Sequence, residues 1–258
     1  MTKSYNLNKM KVHLGLIDVY LHRVGNYTHK RFKKDFKKFK SLNEKSEQKR
    51  FTVHWEDKYP CLDDNTPNTG FDAHYVYHPA WAARILAQIK PEYHIDISST
   101  LHFPTIVSAF IPVRFYDYRP PILQLNNLQC DFIDLNSLSF ETDSIATLSC
   151  MHTIEHIGLG RYGDTLDPEG DLKAIKELKR VVKPGGTMLF VVPVGQPKLM
   201  FNAHRIYSYS QIIEYFSGYA IKEFSLVTDK NEFVPNAPVE LADAQKYGCG
   251  CFWFVKNN

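Results

Sequence analysis

No stretch of the 258 residues stays apolar for the ~20 residues that a membrane-spanning helix needs, so stable membrane insertion is not expected. The opening MTKSYNLNKM is too polar for a secretory signal, which makes the cytoplasm the expected compartment. There is no Cys-x-x-Cys pair, and five cysteines cannot all pair with one another. Both facts fit a reducing environment. Cys249-Gly-Cys251 falls in what reads as the last strand, as two thiols rather than a strained disulfide or a metal clip. No nucleic-acid-binding module accompanies the basic charge, so a dedicated nucleic-acid function is disfavoured. What is present suits one globular domain with an embellished end: 44% of the residues are hydrophobic, enough for a sizeable core.

Charge is distributed unevenly. Residues 1–50 hold fourteen Lys and Arg against four acids, an excess of ten positive charges, and the rest of the chain carries an excess of seven negative ones. In HKRFKKDFKKFKSLNEK, Phe32, Phe36 and Phe39 form one helical stripe between lysine faces. We therefore assign residues 1–58 to a basic, helical N-terminal extension and 59–258 to the main domain. The extension either covers an edge with solvated lysines or attracts an anionic partner, weak contact with a membrane surface included.

The main domain is organised around residues 130–195. Ile145 to Cys150 is long enough only for a strand. Leu172, Ile175, Leu178 and Val182 recur at helical spacing, and Pro184-Gly185-Gly186 ends that helix. Thr187 to Val192 is a continuous apolar run, as in a strand buried on both faces of a parallel sheet. Strand, helix and strand with short connections make a right-handed crossover, and hence an α/β sheet. Ligands in such sheets sit outside the carboxyl ends of the strands. Those ends carry Asp134, the segment from Met151 to His156, and Pro193-Val194-Gly195.

Upstream, Phe51 to Trp55 alternates weakly and reads as a strand, and Lys58 to Gly70 as a loop. FDAHYVYHPAWAARILAQIK reads as a helix that buries Trp81, Ala82, Ile85, Leu86 and Ile89, its polar start beside the first sheet strand. That strand, Tyr93 to Ile97, leads into Ser98-Ser99-Thr100. Val113 to Tyr116 ends in Asp117, followed by Arg119, and Cys130 to Ile133 ends in Asp134-Leu135. Tyr219 to Val227 and Gly248 to Lys256 are the last two strands, joined by an acidic loop, 229–246, that can wall a substrate.

This succession resembles the class I S-adenosylmethionine-dependent methyltransferases. In that family an aspartate loop follows the third strand, a Glu-His segment follows the fourth and a Lys-Pro-Gly-Gly turn precedes the fifth. SLSCMHTIEHIGLGRYGDTLDPEGD and FNAHRIYS are similar, more narrowly, to the DUF268 family, over roughly Phe71 to Phe224. The resemblance implies a Rossmann-like, mostly parallel seven-stranded sheet with helices on both faces. It implies S-adenosyl-L-methionine as cofactor, with Asp96, Ser98 and Ser99 at the methionine end, Asp117 on the ribose, Asp134 and Leu135 at the adenine, and Met151 and His152 alongside. The family's first turn is glycine-rich, whereas this chain has Ser98 and Thr100. That departure motivates an alternative reading, a relative without cofactor that acts as a binding or scaffold protein.

Under the enzymatic reading, His156, His204 and His152 are the candidate general bases, since an imidazole can take a hydroxyl proton as the methyl arrives. Glu155, Arg161, Tyr162, Asp164, Arg205 and Tyr207 are the candidates for holding the acceptor, the arginines through carboxylate or phosphate. Similar enzymes serve surface-polysaccharide pathways, which implies O-methylation of a capsule or lipopolysaccharide sugar, or of a nucleotide- or phosphate-linked precursor such as a phosphoramidate. His152-Thr-Ile-Glu155-His156 also fits the H-x-x-E-H pattern of inverted zinc peptidases. That pattern needs a long helix, and Gly158 and Gly160 interrupt this one, so a zinc hydrolase is the weakest reading and no metal is expected.

Overall fold

The computed structural model describes residues 27–48 and 50–258. The chain divides into two compact units, the first ending at Phe71 and the second running from Asp72 to Asn258. In the first, helix α1 (His29–Lys45) is capped by Thr28, whose hydroxyl oxygen accepts the amide of Arg31 at 3.3 Å. The rings of Phe32 and Phe36 lie 6.1 and 4.9 Å from that of Trp55, while Phe39 is 60% exposed, so only part of the expected aromatic stripe is used. Phe51 to Trp55 forms no strand, contrary to its alternation. With no neighbouring strand among the described residues to pair its amides and carbonyls, a weak period-2 pattern is not enough.

The second unit is a doubly wound sheet. Its strands are β1 (His94–Ile97), β2 (Val113–Asp117), β3 (Leu128–Phe132), β4 (Ile145–Met151), β5 (Val182–Val194), β8 (Tyr219–Val227), β9 (Phe233–Val234) and β10 (Gly248–Lys256). A separate two-stranded ribbon joins β6 (Lys198–Met200) to β7 (His204–Ile206). The main order is β3-β2-β1-β4-β5-β10-β8-β9. The first five are mutually parallel, and β10 runs antiparallel between β5 and β8. The two-residue β9 adds an eighth strand to the seven expected.

Helices α2 (Ala73–Ile89) and α3 (His102–Val107) pack on one face; α4 (Gly170–Val181), α5 (Tyr209–Tyr215) and α6 (Val239–Asp243) cover the other. β5 is buried on both sides, as its unbroken apolar run requires. Met188, Phe190, Val192 and Val194 join one core, and Leu189 and Val191 the other. The stripe of α4 differs from the expected one. Ala174, Ile175, Leu178 and Val181 are buried, whereas Leu172 is exposed and Val182 already belongs to β5. The Pro184-Gly185-Gly186 turn therefore lies within the irregular start of β5, where the β4 pairing shifts register, rather than at the helix end.

Two opposite excursions leave the sheet at its centre, since β1, β2 and β3 step outward one way and β4 and β5 the other. The loops after β1 and β4 consequently diverge and leave a crevice at the carboxyl edge.

Candidate active site

A cavity of about 760 Å3 opens at that crevice. Ser98, Ser99 and Thr100 line it after β1, Asp117 at the end of β2, Asp134 and Leu135 after β3, and Met151 and His152 at the end of β4. Glu155, His156, Arg161, Tyr162, Asp164 and His204 complete much of the wall. Most of the residues singled out in the sequence are thus brought to one place.

The turn after β1 is held tightly. Ser98 has φ +57°, the left-handed conformation that glycine adopts without strain and that costs other residues about 1 kcal/mol or more. Its amide donates to the Tyr116 carbonyl at 2.8 Å, and its carbonyl accepts the Thr153 hydroxyl at 2.9 Å. A serine thus takes the backbone shape for which the methyltransferase pattern uses glycine. Asp96 does not reach the cavity, contrary to its expected cofactor contact. It is fully buried, where Ser149 and Ser99 both donate to Oδ1, the latter at 2.6 Å, and it braces the turn from beneath. Burial pushes its carboxyl up to about 7, against the opposing effect of the two serine hydroxyls.

Asp117 and Asp134 each fix their own turn with one oxygen. Asp117 Oδ1 accepts the Arg119 amide at 2.7 Å, and Asp134 Oδ1 accepts the Asn136 amide at 2.9 Å.

The segment after β4 is not the long helix of a zinc peptidase. His152 turns the chain with φ +55°, and only a short 3-10 turn, Ile154–His156, follows. His152 Nδ1 lies 2.8 Å from Glu155 Oε1, in a pair almost wholly buried. His156 Nδ1 lies 2.5 Å from the Ala203 carbonyl, which can only accept, and 3.3 Å from the Arg161 guanidinium, which can only donate; the shorter contact assigns the proton to Nδ1. Its Nε2 then faces Glu155 Oε1 at 3.8 Å. The other carboxylate oxygen, Glu155 Oε2, is buried without a hydrogen-bond partner among the described residues, as are Nε2 of His152 and of His204. His204 is held below the usual histidine range by burial, which keeps it neutral.

Rings from the start of α2 pack against this segment. His74 stacks between His152 at 5.3 Å and Tyr247 at 5.1 Å, Tyr75 stacks on His152 at 5.4 Å, and His78 meets His152 edge-on at 5.1 Å. Burial lowers His74 to about 4 and raises the Tyr75 hydroxyl to about 12. The polar start of this helix was legible in the sequence, but its specific partners were not. The same is true of Tyr247, one residue beyond the acidic loop expected to wall a substrate.

The glycine-rich loop is shaped from within. Asp164 Oδ2 accepts the amides of Gly158 and Gly160 at 2.7 and 3.3 Å, and Oδ1 accepts that of Tyr162 at 3.2 Å. Gly158 has φ +79°, and a Cβ there would sit 2.0 Å from the Asp167 carbonyl oxygen, so only glycine closes the loop. The loop presents Tyr162 at the rim, with the guanidinium of Arg119 4.6 Å and that of Arg161 5.1 Å from its ring centre.

Two expected acceptor contacts are corrected. Arg205 and Tyr207 do not line the cavity. Arg205 donates to the carbonyls of Ile157 at 2.6 Å and Pro168 at 3.2 Å, and its Nε lies 3.5 Å from Asp171. The Tyr207 hydroxyl donates to the same carboxylate at 2.9 Å. Both side chains are spent on holding the loop to α4.

The family model described as "Caenorhabditis protein of unknown function, DUF268" matches residues 128–243, starting later and ending later than the span expected from the motifs. No curated protein matches the chain. Among solved structures, the YcgJ protein of Bacillus subtilis aligns with a TM-score of 0.50 and 13% identity, over 70% of this chain and 99% of that one. A putative sarcosine dimethylglycine methyltransferase from Galdieria sulphuraria gives 0.49 and 13% over 69% and 84%. A putative methyltransferase solved with the Haloferax volcanii Trm112 activator gives 0.48 and 16% over 70% and 90%. The fold is a Rossmann-like α/β fold with a mostly parallel sheet.

Proposed function

We propose that this protein is an S-adenosylmethionine-dependent methyltransferase. The observation that carries the reading is the cavity of about 760 Å3 at the β1/β4 switch point, with Asp117 and Asp134 on its wall. A volume of this size suits a nucleoside with an amino-acid tail. The left-handed turn at Ser98 favours it too, because it keeps the backbone near the cavity as a glycine turn does. In this reading Asp117 would accept the hydroxyls of a ribose, Asp134 and Leu135 would border the base, and Ser98 and Ser99 would meet the amino-acid end. When bound, the cofactor supplies a methyl group on an electrophilic sulfonium.

The chain's own task is then to place a hydroxyl in line and to take its proton. His156 suits the second role, because Nδ1–H is fixed on the Ala203 carbonyl and a proton accepted at Nε2 faces Glu155. His204, neutral and lining the same wall, is the second candidate. The imidazole of His156 or His204 would take the acceptor's hydroxyl proton as that oxygen receives the methyl group. Arg119 and Arg161 at the rim favour an anionic acceptor. We place a surface-polysaccharide sugar, or its phosphate-linked or phosphoramidate-bearing precursor, first among acceptors, in the cytoplasm.

Calorimetry with S-adenosylmethionine and S-adenosylhomocysteine tests this directly. Saturable heat at micromolar ligand supports the reading. A folded protein that gives none at millimolar ligand is instead a cofactor-less binding or scaffold relative.

A further inference from the structure

We propose that His74, His152 and Cys249 form a binding site for one zinc-type divalent transition-metal ion. Their donor atoms, two imidazole nitrogens and one thiol sulfur, all lie within 4.8 Å of one another, a convergence that no other group of His, Cys, Asp and Glu reaches among the described residues. A tetrahedral zinc site with bonds of about 2.0–2.3 Å spaces its donors by roughly 3.4–3.8 Å, so closure needs shifts of about an ångström. Two imidazoles and a thiolate are a borderline-soft set that suits zinc and excludes magnesium or calcium.

The surroundings match a metal site in a second, independent way. His152 Nδ1 is held by Glu155 at 2.8 Å, which leaves the lone pair on Nε2, and that atom is buried with no partner among the described residues, in a side chain only 2% exposed. The His74 ring lies between those of His152 and Tyr247. A histidine with one ring nitrogen fixed by an oxygen and the other free is the arrangement that orients metal ligands. Three distant segments contribute: the first turn of α2, the end of β4 and the start of β10. Only β4 carries part of the H-x-x-E-H pattern. His156 is turned away, with Nδ1 on the Ala203 carbonyl, so the site differs from that of a zinc peptidase. Cys251 Sγ stands 3.9 Å from Cys249 Sγ and is outside the trio. Three protein donors leave one position to a small ligand, and His152 places the site at the cavity wall.

The full chain, without a polyhistidine tag, is to be purified for elemental analysis, stripped with a chelator and titrated with Co2+. Expected are about one zinc per chain as purified, and a Co2+ complex with a thiolate-to-metal charge-transfer band at one equivalent. Cys249→Ser should abolish the band while Cys251→Ser keeps it. Glu155→Gln should weaken binding roughly 10- to 100-fold. Folded wild-type protein that binds neither ion stoichiometrically overturns the proposal, as does a band that survives Cys249→Ser. Should Cys249→Ser not fold, His74→Gln decides, because that ring is only part-buried: a drop in Co2+ affinity of tenfold or more supports the site, and unchanged affinity removes it.

Discussion

Glu155 Oε1 lies 2.8 Å from Nδ1 of His152 and 3.8 Å from Nε2 of His156, so one buried oxygen orients two imidazoles that face different surroundings. His152, whose Nε2 has no partner among the described residues, belongs to the histidine and cysteine group, and His156 lines the cavity with it and with His204. The H-x-x-E-H spelling is thus divided between two tasks, because the left-handed residue at position 152 prevents a continuous helix.

If Asp117 holds a ribose, Asp117→Ala weakens S-adenosylhomocysteine binding by ~1–3 kcal/mol, the cost of losing hydrogen bonds to a charged group. Calorimetry measures it, and equal affinities would remove the ribose role.

His156→Ala lowers turnover by ~10²–10⁴-fold if His156 is the base, while the affinity for S-adenosylhomocysteine holds. The same loss in His204→Ala alone would transfer the role to His204. Full activity in both variants would show that neither histidine is needed.

Asp96 makes stability depend on pH. Its carboxyl titrates near 3.9 in an unfolded chain and near 7 in the fold, so the folded state binds the proton more tightly. Its contribution favours folding most below about pH 4 and declines by a few kcal/mol as pH rises to about 7. Asp96→Asn keeps an acceptor for Ser99 and Ser149 and removes this slope. Urea unfolding of both proteins between pH 5 and 8 should give curves that diverge as pH rises; parallel curves would contradict it.

Ser98→Gly relieves the left-handed turn and stabilises the fold, or leaves it unchanged, within about 1 kcal/mol. Ser98→Val, β-branched in the same conformation, destabilises by ~1–3 kcal/mol. Equal melting temperatures for the two variants would contradict the backbone assignment.

Arg205 and Tyr207 act on stability rather than on the acceptor. Arg205→Ala, which strands the buried Asp171, should cost ~3–5 kcal/mol, and Tyr207→Phe ~1–3 kcal/mol. In Tyr207→Phe the acceptor KM stays unchanged. A raised KM without loss of stability would restore the binding role.

Local pattern determined the main strands. The apolar run of β5 and the bounds of β8 and β10 follow from periodicity and turn residues, because each reflects which side of a short segment is buried. The carboxyl-edge residues Ser98, Asp117, Asp134 and His152 followed once the strands were placed, since a parallel sheet directs its loops to one edge. Tertiary structure decided the rest. Arg205 looked like a ligand for an anion, and only the proximity of Asp171 and two carbonyls reveals what it holds. His74, His152 and Cys249 are separated by 78 and 97 residues and share no motif. They meet because α2 packs across the sheet where β10 enters beside β5. A packing contact between distant segments leaves no period in the sequence, so nothing short of the folded chain brings these donors together.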